Sequence, residues 1–199
     1  MHTTIGLIRH GETDWNAQRR IQGRTDIPLN DRGRAQARVA AERLMNTDWQ
    51  RIYTSPLQRA ADTASIVAEV LGLPAPGVLD DVAERSFGEI EGLTYAERTA
   101  RFAEDTAVPG LETRADVVAR SLPALSLLAA AHPGQNLLVV THGGVIGSLI
   151  RHVTDFRLPN PADTIPNGST NVFTVDEVGA WALQQYEGAP GDAAARPIP

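Results

Sequence analysis

Two residue types are missing from this chain. It has no cysteine, so disulfides, thiolate metal sites and a cysteine nucleophile are excluded, and a cytoplasmic setting is the default. It has no lysine either, because all 18 basic residues are arginine. Schiff-base chemistry and a P-loop lysine are thereby ruled out, and any phosphate must be held by guanidinium, histidine or backbone N–H groups. No apolar run approaches the roughly 18 residues needed to span a bilayer. The N-terminus runs straight into TTIGLIRH, with no basic leader, apolar stretch and cleavage site, so no secretory signal is expected. Positive charge is in deficit, 18 basic against 24 acidic residues, which argues against nucleic acid or an anionic membrane as the main partner.

What remains is 199 residues, 42% hydrophobic and 21% charged, enough for one globular domain with a substantial core. That domain is expected over residues 1–186. Residues 187–199, rich in Ala, Pro and Gly, have little to pack and read as a frayed tail. Along the chain, strand and helix alternate. Residues 4–8 form an apolar, β-branched run that breaks at Arg9-His10-Gly11 and reads as a buried strand. Asn30 or Asp31 can cap a helix to about residue 45, with Ala37, Ala40, Ala41 and Leu44 at helical spacing. Residues 51–54 and 78–80 read as short strands, and a helix begins at Pro56 and runs on to residue 71 before Gly72 and Pro74. Further helices are expected at 93–103 and 112–131, with a kink or a start at Pro123. The clearest strand, 136–140, gives way through Thr141-His142-Gly143-Gly144 to a helix over 145–153, and 171–176 with 180–186 form a hairpin. This alternation indicates a three-layer α/β/α sandwich whose central sheet is mostly parallel, with an antiparallel edge.

In open α/β sheets, ligands bind beyond the carboxyl ends of the strands. Two strands here end in histidine followed by glycine, at His10-Gly11 and at His142-Gly143-Gly144, and neighbouring parallel strands would bring both to one rim. Glycine lets the backbone approach a ligand, and the helix start behind it offers N–H groups to an anion. A single strand-end histidine is more often structural, and a Gly-Gly before a helix is commonly a turn. Two such motifs in matching contexts favour function. Arg59, in Ser55-Pro56-Leu57-Gln58-Arg59-Ala60, sits on the first turn of its helix just past a strand end, where it could reach the same cleft. Taken alone it would read as an exposed helix arginine.

The combined order resembles the histidine phosphatase superfamily, also called phosphoglycerate mutase-like, over nearly the whole chain. The matching pieces are RHGET, Asn16, Gln22-Gly23 with Asp26 and Pro28-Leu29, SPLQRAADTA, Glu84-Arg85-Ser86-Phe87-Gly88-Glu89-Ile90-Glu91-Gly92, and THGG. The resemblance implies that His10 is phosphorylated, that Arg9, Arg59 and His142 surround the phosphoryl oxygens, and that Asn16 and the backbone of Gly143 assist. It implies Glu84 as the proton donor, and Gln22 and Gly23 as a loop that contacts the substrate phosphate. The partner is then a small phosphorylated metabolite, with no metal and no cofactor required; a homodimer is left open.

These roles agree with the chemistry. Positioning and charge stabilisation dominate phosphoryl transfer, and arginine offers a planar, permanently charged fork that matches phosphate oxygens. His10 must attack as neutral imidazole with its other nitrogen fixed as a donor, and sequence does not say which nitrogen does which. Glu84 serves as an acid only if protonated in the first step. Glu12 is the weaker candidate, since a glutamate beside the nucleophile could be structural.

The same chemistry serves mutases and phosphatases. Cofactor-dependent mutases of this family carry a long basic insertion after the Glu84 region. Here residues 93–108 pass quickly to Pro109-Gly110-Leu111-Glu112-Thr113, similar to a shorter segment of the phosphatases, and Gly144 stands where mutases typically have asparagine. Phosphatase is favoured. A metallohydrolase built on His10, Glu12 and His142 lacks an HxxxH-like cluster and would face opposing arginines. A non-catalytic module that binds phosphorylated partners is countered by the intact catalytic positions.

Overall fold

In the computed structural model, which describes residues 2–102, 106–160 and 163–190, the apolar run at the N-terminus is strand β1 (Thr3–Arg9). Its side chains alternate between faces, so Ile5 and Leu7 enter one core layer and Ile8 the other. A four-residue helix, α1 (Asp14–Ala17), follows, fixed by a capping box of Thr13 and Asn16. Helix α2 (Asp31–Leu44) starts on Asn30, whose side chain accepts from Gly33 N, and it buries the expected stripe of Ala37, Ala40, Ala41 and Leu44. Strand β2 (Arg51–Thr54) leads to α3 (Gln58–Leu71), which stops at Gly72 in the left-handed conformation. Strand β3 (Gly77–Val78) comes slightly before the expected 78–80, because the chain winds into a 3-10 turn at Asp80–Val82.

A second 3-10 turn, Gly88–Ile90, precedes α4 (Tyr95–Arg101). The helix expected over 93–103 is shorter because a capping box of Thr94 and Glu97 fixes its start; residue 103 lies outside the described residues. Helix α5 (Arg114–Ala131) begins on the capping box of Thr113 and Asp116 and carries Pro123 inside it, so Pro123 is not the start. Strand β4 (Asn136–Thr141) passes to α6 (Gly143–Val153), which opens two residues earlier than expected and therefore includes both glycines. Strands β5 (Asp163–Thr164), β6 (Thr170–Val175), β7 (Trp181–Gln185) and β8 (Ala189–Pro190) complete the described chain.

The main sheet has the order β3-β2-β4-β1-β6-β7. The first four strands are parallel, while β6 runs antiparallel to β1 and β7 antiparallel to β6. Strand β4 shows why the sheet needs two helical layers. Leu137 and Val139 pack with Val117, Leu125, Ile146 and Leu149 of α5 and α6. Leu138 and Val140 pack with Ala41, Ala60, Ala64 and Val67 of α2 and α3. All four are fully buried, and each such side chain contributes roughly 1.5–3 kcal/mol relative to exposure. A smaller cluster of Ile90, Phe102 and Val108, with Ile21, Phe87, Leu93 and Leu111 against it, secures the 84–111 segment.

One expectation is corrected at the C-terminus. Residues 187–190 are docked rather than frayed. The Glu187 carboxylate accepts from Thr170 N at 2.9 Å, its N–H donates to Asn171 Oδ1 at 2.9 Å, and β8 pairs antiparallel with β5. The charged side chain satisfies backbone that the end of β7 leaves uncovered, a contact that composition does not reveal. Residues 191–199 of the expected tail lie outside the described residues.

Candidate active site

Strands β2, β4 and β1 lie side by side, and their carboxyl ends carry Ser55, His142 and His10. Ser55 N donates to Val140 O and His10 N to Thr141 O, each at 3.0 Å, which locks the three strand ends to one rim. A cavity of about 330 Å³ opens there. Eight of the nine residues expected from sequence line it: Arg9, His10, Asn16, Gln22, Gly23, Arg59, Glu84 and Gly143. His142, the ninth, is fully buried beside His10, with 5.1 Å between ring centroids.

The backbone resolves the state of His10. Its Nδ1 lies 2.7 Å from Gly11 O. A carbonyl can only accept, so Nδ1 carries the hydrogen and Nε2 keeps the lone pair. Burial, and then Arg59 and Arg9, hold this imidazole well below its ordinary range, so the ring is neutral near pH 7. The turn after it is tight. A Cβ on Gly11 would stand 2.2 Å from Gly33 O, so backbone packs directly on the first turn of α2. Gly11 N donates to Thr63 Oγ1 and Thr63 Oγ1 donates to Arg59 O, tying this turn to α3.

Arg59, fully buried, is committed at every guanidinium nitrogen. Nε donates to His10 Nε2 at 3.2 Å, Nη1 to Thr25 O at 2.9 Å and Nη2 to Gly23 O at 2.7 Å. The loop it grips is held from behind by Glu91, which accepts from Arg24 N, Thr25 N, Thr25 Oγ1 and Phe87 N. Glu91 stood in a quoted motif without a role; its role is to shape this loop.

Ser55 assigns the hydrogen of His142. Ser55 Oγ accepts from Leu57 N, and among the described residues its own hydrogen has no acceptor but His142 Nε2, 2.7 Å away, so the hydroxyl donates to that nitrogen. His142 then carries its hydrogen on Nδ1, a buried atom with no hydrogen-bond partner. Arg9 Nε and Gln22 Nε2 are also buried without partners, although Arg9 Nη1 is anchored on Ile165 O and Gln22 Oε1 accepts from Thr13 Oγ1. Orphaned buried donors on Arg9 and Gln22, which line the cavity, and on His142, buried beside His10, stand near a helix start where α6 has no side-chain cap, and together they call for an anion. Asn167, which sequence did not suggest, donates from Nδ2 to His10 O at 2.9 Å and to Asn16 Oδ1 at 3.3 Å. Thr13 N also donates to Asn16 Oδ1, so the amide nitrogen of Asn16 is the end left to meet a ligand.

Glu84 is buried on the cavity wall and accepts from Arg85 N at 2.8 Å and Gly144 N at 3.3 Å. A Cβ at 144 would lie 2.5 Å from Glu84 Oε1, so no larger residue can stand here without moving this carboxylate. Glu12 is turned away. It accepts from Asn30 Nδ2 at 3.1 Å and lies 3.4 Å from Arg32 Nη1, bracing α2. Glu112 ties the Glu84 segment to α5 by accepting from Ser86 N and from Arg120. Among the described residues no group of three or more His, Cys, Asp or Glu is arranged to hold a metal, and no helix is long and apolar enough to cross a membrane.

The profile of the histidine phosphatase superfamily (branch 1) matches residues 5–187. The chain belongs to this superfamily. Among histidine phosphatases, it is 42% identical over 185 residues to a Bacillus subtilis (strain 168) protein named uncharacterized phosphatase PhoE, covering 92% of this chain and 94% of that one. It is 37% identical over 196 residues to a metal-independent phosphoserine phosphatase of Arabidopsis thaliana, covering 92% and 81%. A solved mycobacterial glucosyl-3-phosphoglycerate phosphatase in complex with VO3 superposes with a TM-score of 0.82 at 30% identity, covering 92% and 98%. These names agree with an enzyme of the phosphoric monoester hydrolase class.

Proposed function

We propose that this histidine phosphatase hydrolyses a small-molecule phosphomonoester through a phosphohistidine on His10, without a metal. The observation that carries the reading is the pairing of His10 Nδ1 with Gly11 O. It leaves Nε2 of a neutral ring as the nucleophile, beside donors that have no acceptor of their own. Arg9 Nε, Gln22 Nε2, His142 Nδ1, the Asn16 amide and the Gly143 N–H at the start of α6 receive the phosphoryl oxygens. As the Nε2–P bond forms, Arg59 Nε passes from the ring nitrogen to a phosphoryl oxygen. The N–H that orients the nucleophile at rest thus stabilises charge in the transition state. Glu84 gives its proton to the departing oxygen, and in the second step it takes one from the water that attacks phosphorus, returning His10 to its neutral form. Water accounts for both halves of the balance: its hydroxyl joins the phosphate and its proton restores Glu84.

Turnover of p-nitrophenyl phosphate in EDTA tests the reaction, and acid quench with labelled ester tests the intermediate. The expected label is acid-labile, base-stable and absent from His10→Ala. Full activity in His10→Ala, or label on Ser55, overturns this mechanism. Activity lost in EDTA and restored by one divalent ion would make the protein a metallohydrolase.

A further inference from the structure

Gln22 and Asn16 both meet the cavity through a side-chain amide, whose two ends are alike in size and opposite in polarity. Hydrogen bonds alone choose which end faces a ligand. Gln22 Oε1 accepts from Thr13 Oγ1 at 3.0 Å, and its Nε2 is left as a buried donor without a partner. Asn16 Oδ1 accepts from Thr13 N at 3.2 Å and from Asn167 Nδ2 at 3.3 Å, and its Nδ2 is the end left over. Thr13, which makes a bond to each amide, is fully buried and is not one of the residues that line the cavity.

We propose that Thr13 is a positioning residue for phosphoryl binding, fixing the polarity of both amides so that two N–H donors and no carbonyl oxygen meet the anion. This rests on the phosphatase reading above for the identity of that anion. The hydroxyl of Thr13 has one hydrogen, and its oxygen accepts from Asn16 N at 3.2 Å. Among the described residues Gln22 Oε1 is the acceptor of that hydrogen. A reversed Gln22 would bring an N–H to Thr13 Oγ1 and strand the hydroxyl hydrogen in a fully buried position. It would also set a lone pair against a phosphoryl oxygen. A reversed Asn16 would press its NH2 against two further donors, the Thr13 N–H and the Asn167 amide.

Thr13 can impose this orientation because its own backbone is pinned. It forms an antiparallel bridge with Leu29, and the neighbouring Glu12 O accepts from Asn30 N at 3.1 Å. Glu12 N donates to Gln36 Oε1 at 2.8 Å, and a Cβ on Gly33 would stand 2.1 Å from Glu12 O. The first turns of α2 thus hold residues 12 and 13, and Thr13 holds the two amides.

Calorimetry with inorganic phosphate and kinetics with phosphate esters test this together. Thr13→Val keeps the shape of the side chain and removes the hydroxyl. It should weaken phosphate binding and lower kcat/KM by about 10-fold, the scale of one buried hydrogen bond, and Thr13→Ser should keep both near wild type. In a Gln22→Ala background, where no amide is left to orient, Thr13→Val should cost about twofold or less. The loss should be equal for p-nitrophenyl and alkyl phosphates, because Gln22 meets the phosphoryl group and not the leaving oxygen. An equal cost of Thr13→Val in both backgrounds, a serine variant as impaired as valine, or a loss confined to poor leaving groups would reduce Thr13 to a helix cap and overturn the proposal. Wild-type enzyme gives a reading that needs no variant to fold: the side-chain NH2 resonances of Gln22 and Asn16 should move on titration with phosphate. Unmoved resonances, or no phosphate binding, would overturn it as well. Phosphate binding with these signatures in a protein that turns over no ester would remove the phosphatase reading and leave the role of Thr13 standing.

Discussion

Ser55 Oγ and His142 Nε2 lie 2.7 Å apart, joining the end of β2 to the end of β4 across the floor of the site. Removing this hydroxyl leaves His142 Nε2 buried without a partner, and the ring hydrogen is no longer held on Nδ1. Ser55→Ala should lower kcat/KM by about 10–100-fold, from the 1–3 kcal/mol of a lost buried hydrogen bond. Nitrogen chemical shifts of labelled His142 should move from one tautomer to a mixture. A variant with wild-type shifts and wild-type rate would show that Ser55 merely fills space.

The two site histidines set a pH dependence of stability. Burial, then Arg59 and Arg9, keep His10 well below the usual imidazole range; burial, then Arg59, His10 and Arg9, do the same for His142. In the unfolded chain both rings take up protons near pH 6.5. The unfolded state therefore binds more protons as pH falls below about 6.5, and native stability falls with it. That contribution is fully present above about pH 7.5 and declines toward the lowered folded-state value. Urea unfolding should give a lower free energy at pH 5.5 than at pH 7.5, with a flatter slope in His142→Asn. Ring proton shifts of both histidines in the folded enzyme should stay constant over that interval.

Glu84 can be tested through the leaving group. An alkyl alkoxide needs a proton to depart and p-nitrophenolate hardly does. Glu84→Gln should slow phosphorylation of His10 by an alkyl phosphate by about 10²–10⁴-fold, and visibly less with p-nitrophenyl phosphate. Gly144→Ala should show the same leaving-group signature, because its Cβ would displace the carboxylate from 2.5 Å. Rapid-quench measurement isolates this step. Equal losses on both esters would remove Glu84 from the role of acid.

Mutase activity should be minor. With 3-phosphoglycerate and a bisphosphoglycerate primer, free phosphate should appear faster than 2-phosphoglycerate. The reverse order would identify a mutase, and would mean that Gly144 does not exclude that chemistry.

The central frame was legible because apolar strands announce themselves: 136–140 has no other reading, and histidine-glycine at two strand ends marks the rim. What escaped has a common cause. Helix α1 spans four residues, too few for a period, and depends on side-chain bonds between Thr13 and Asn16. Asn167 reaches His10 O across 157 residues of sequence, and nothing in its neighbourhood advertises that contact. The carboxylate of Glu91 serves backbone N–H groups of another loop, a use invisible to motif spacing. The start of α6 was read late because Gly143 and Gly144 look like helix breakers, yet glycine is what lets Arg9 and Glu84 press against that turn.

The sheet order has a consequence during synthesis. Strand β1 emerges first, but its partners are β4 and β6, which begin at residues 136 and 170. Such distant pairings are slow to close. Until both have left the ribosome, an apolar strand with two unsatisfied edges is exposed, a species prone to aggregate. His10, at its end, has no rim to sit on. Chains arrested before residue 170 are therefore candidates for chaperone capture and proteolysis, and they carry His10 without a site in which to use it.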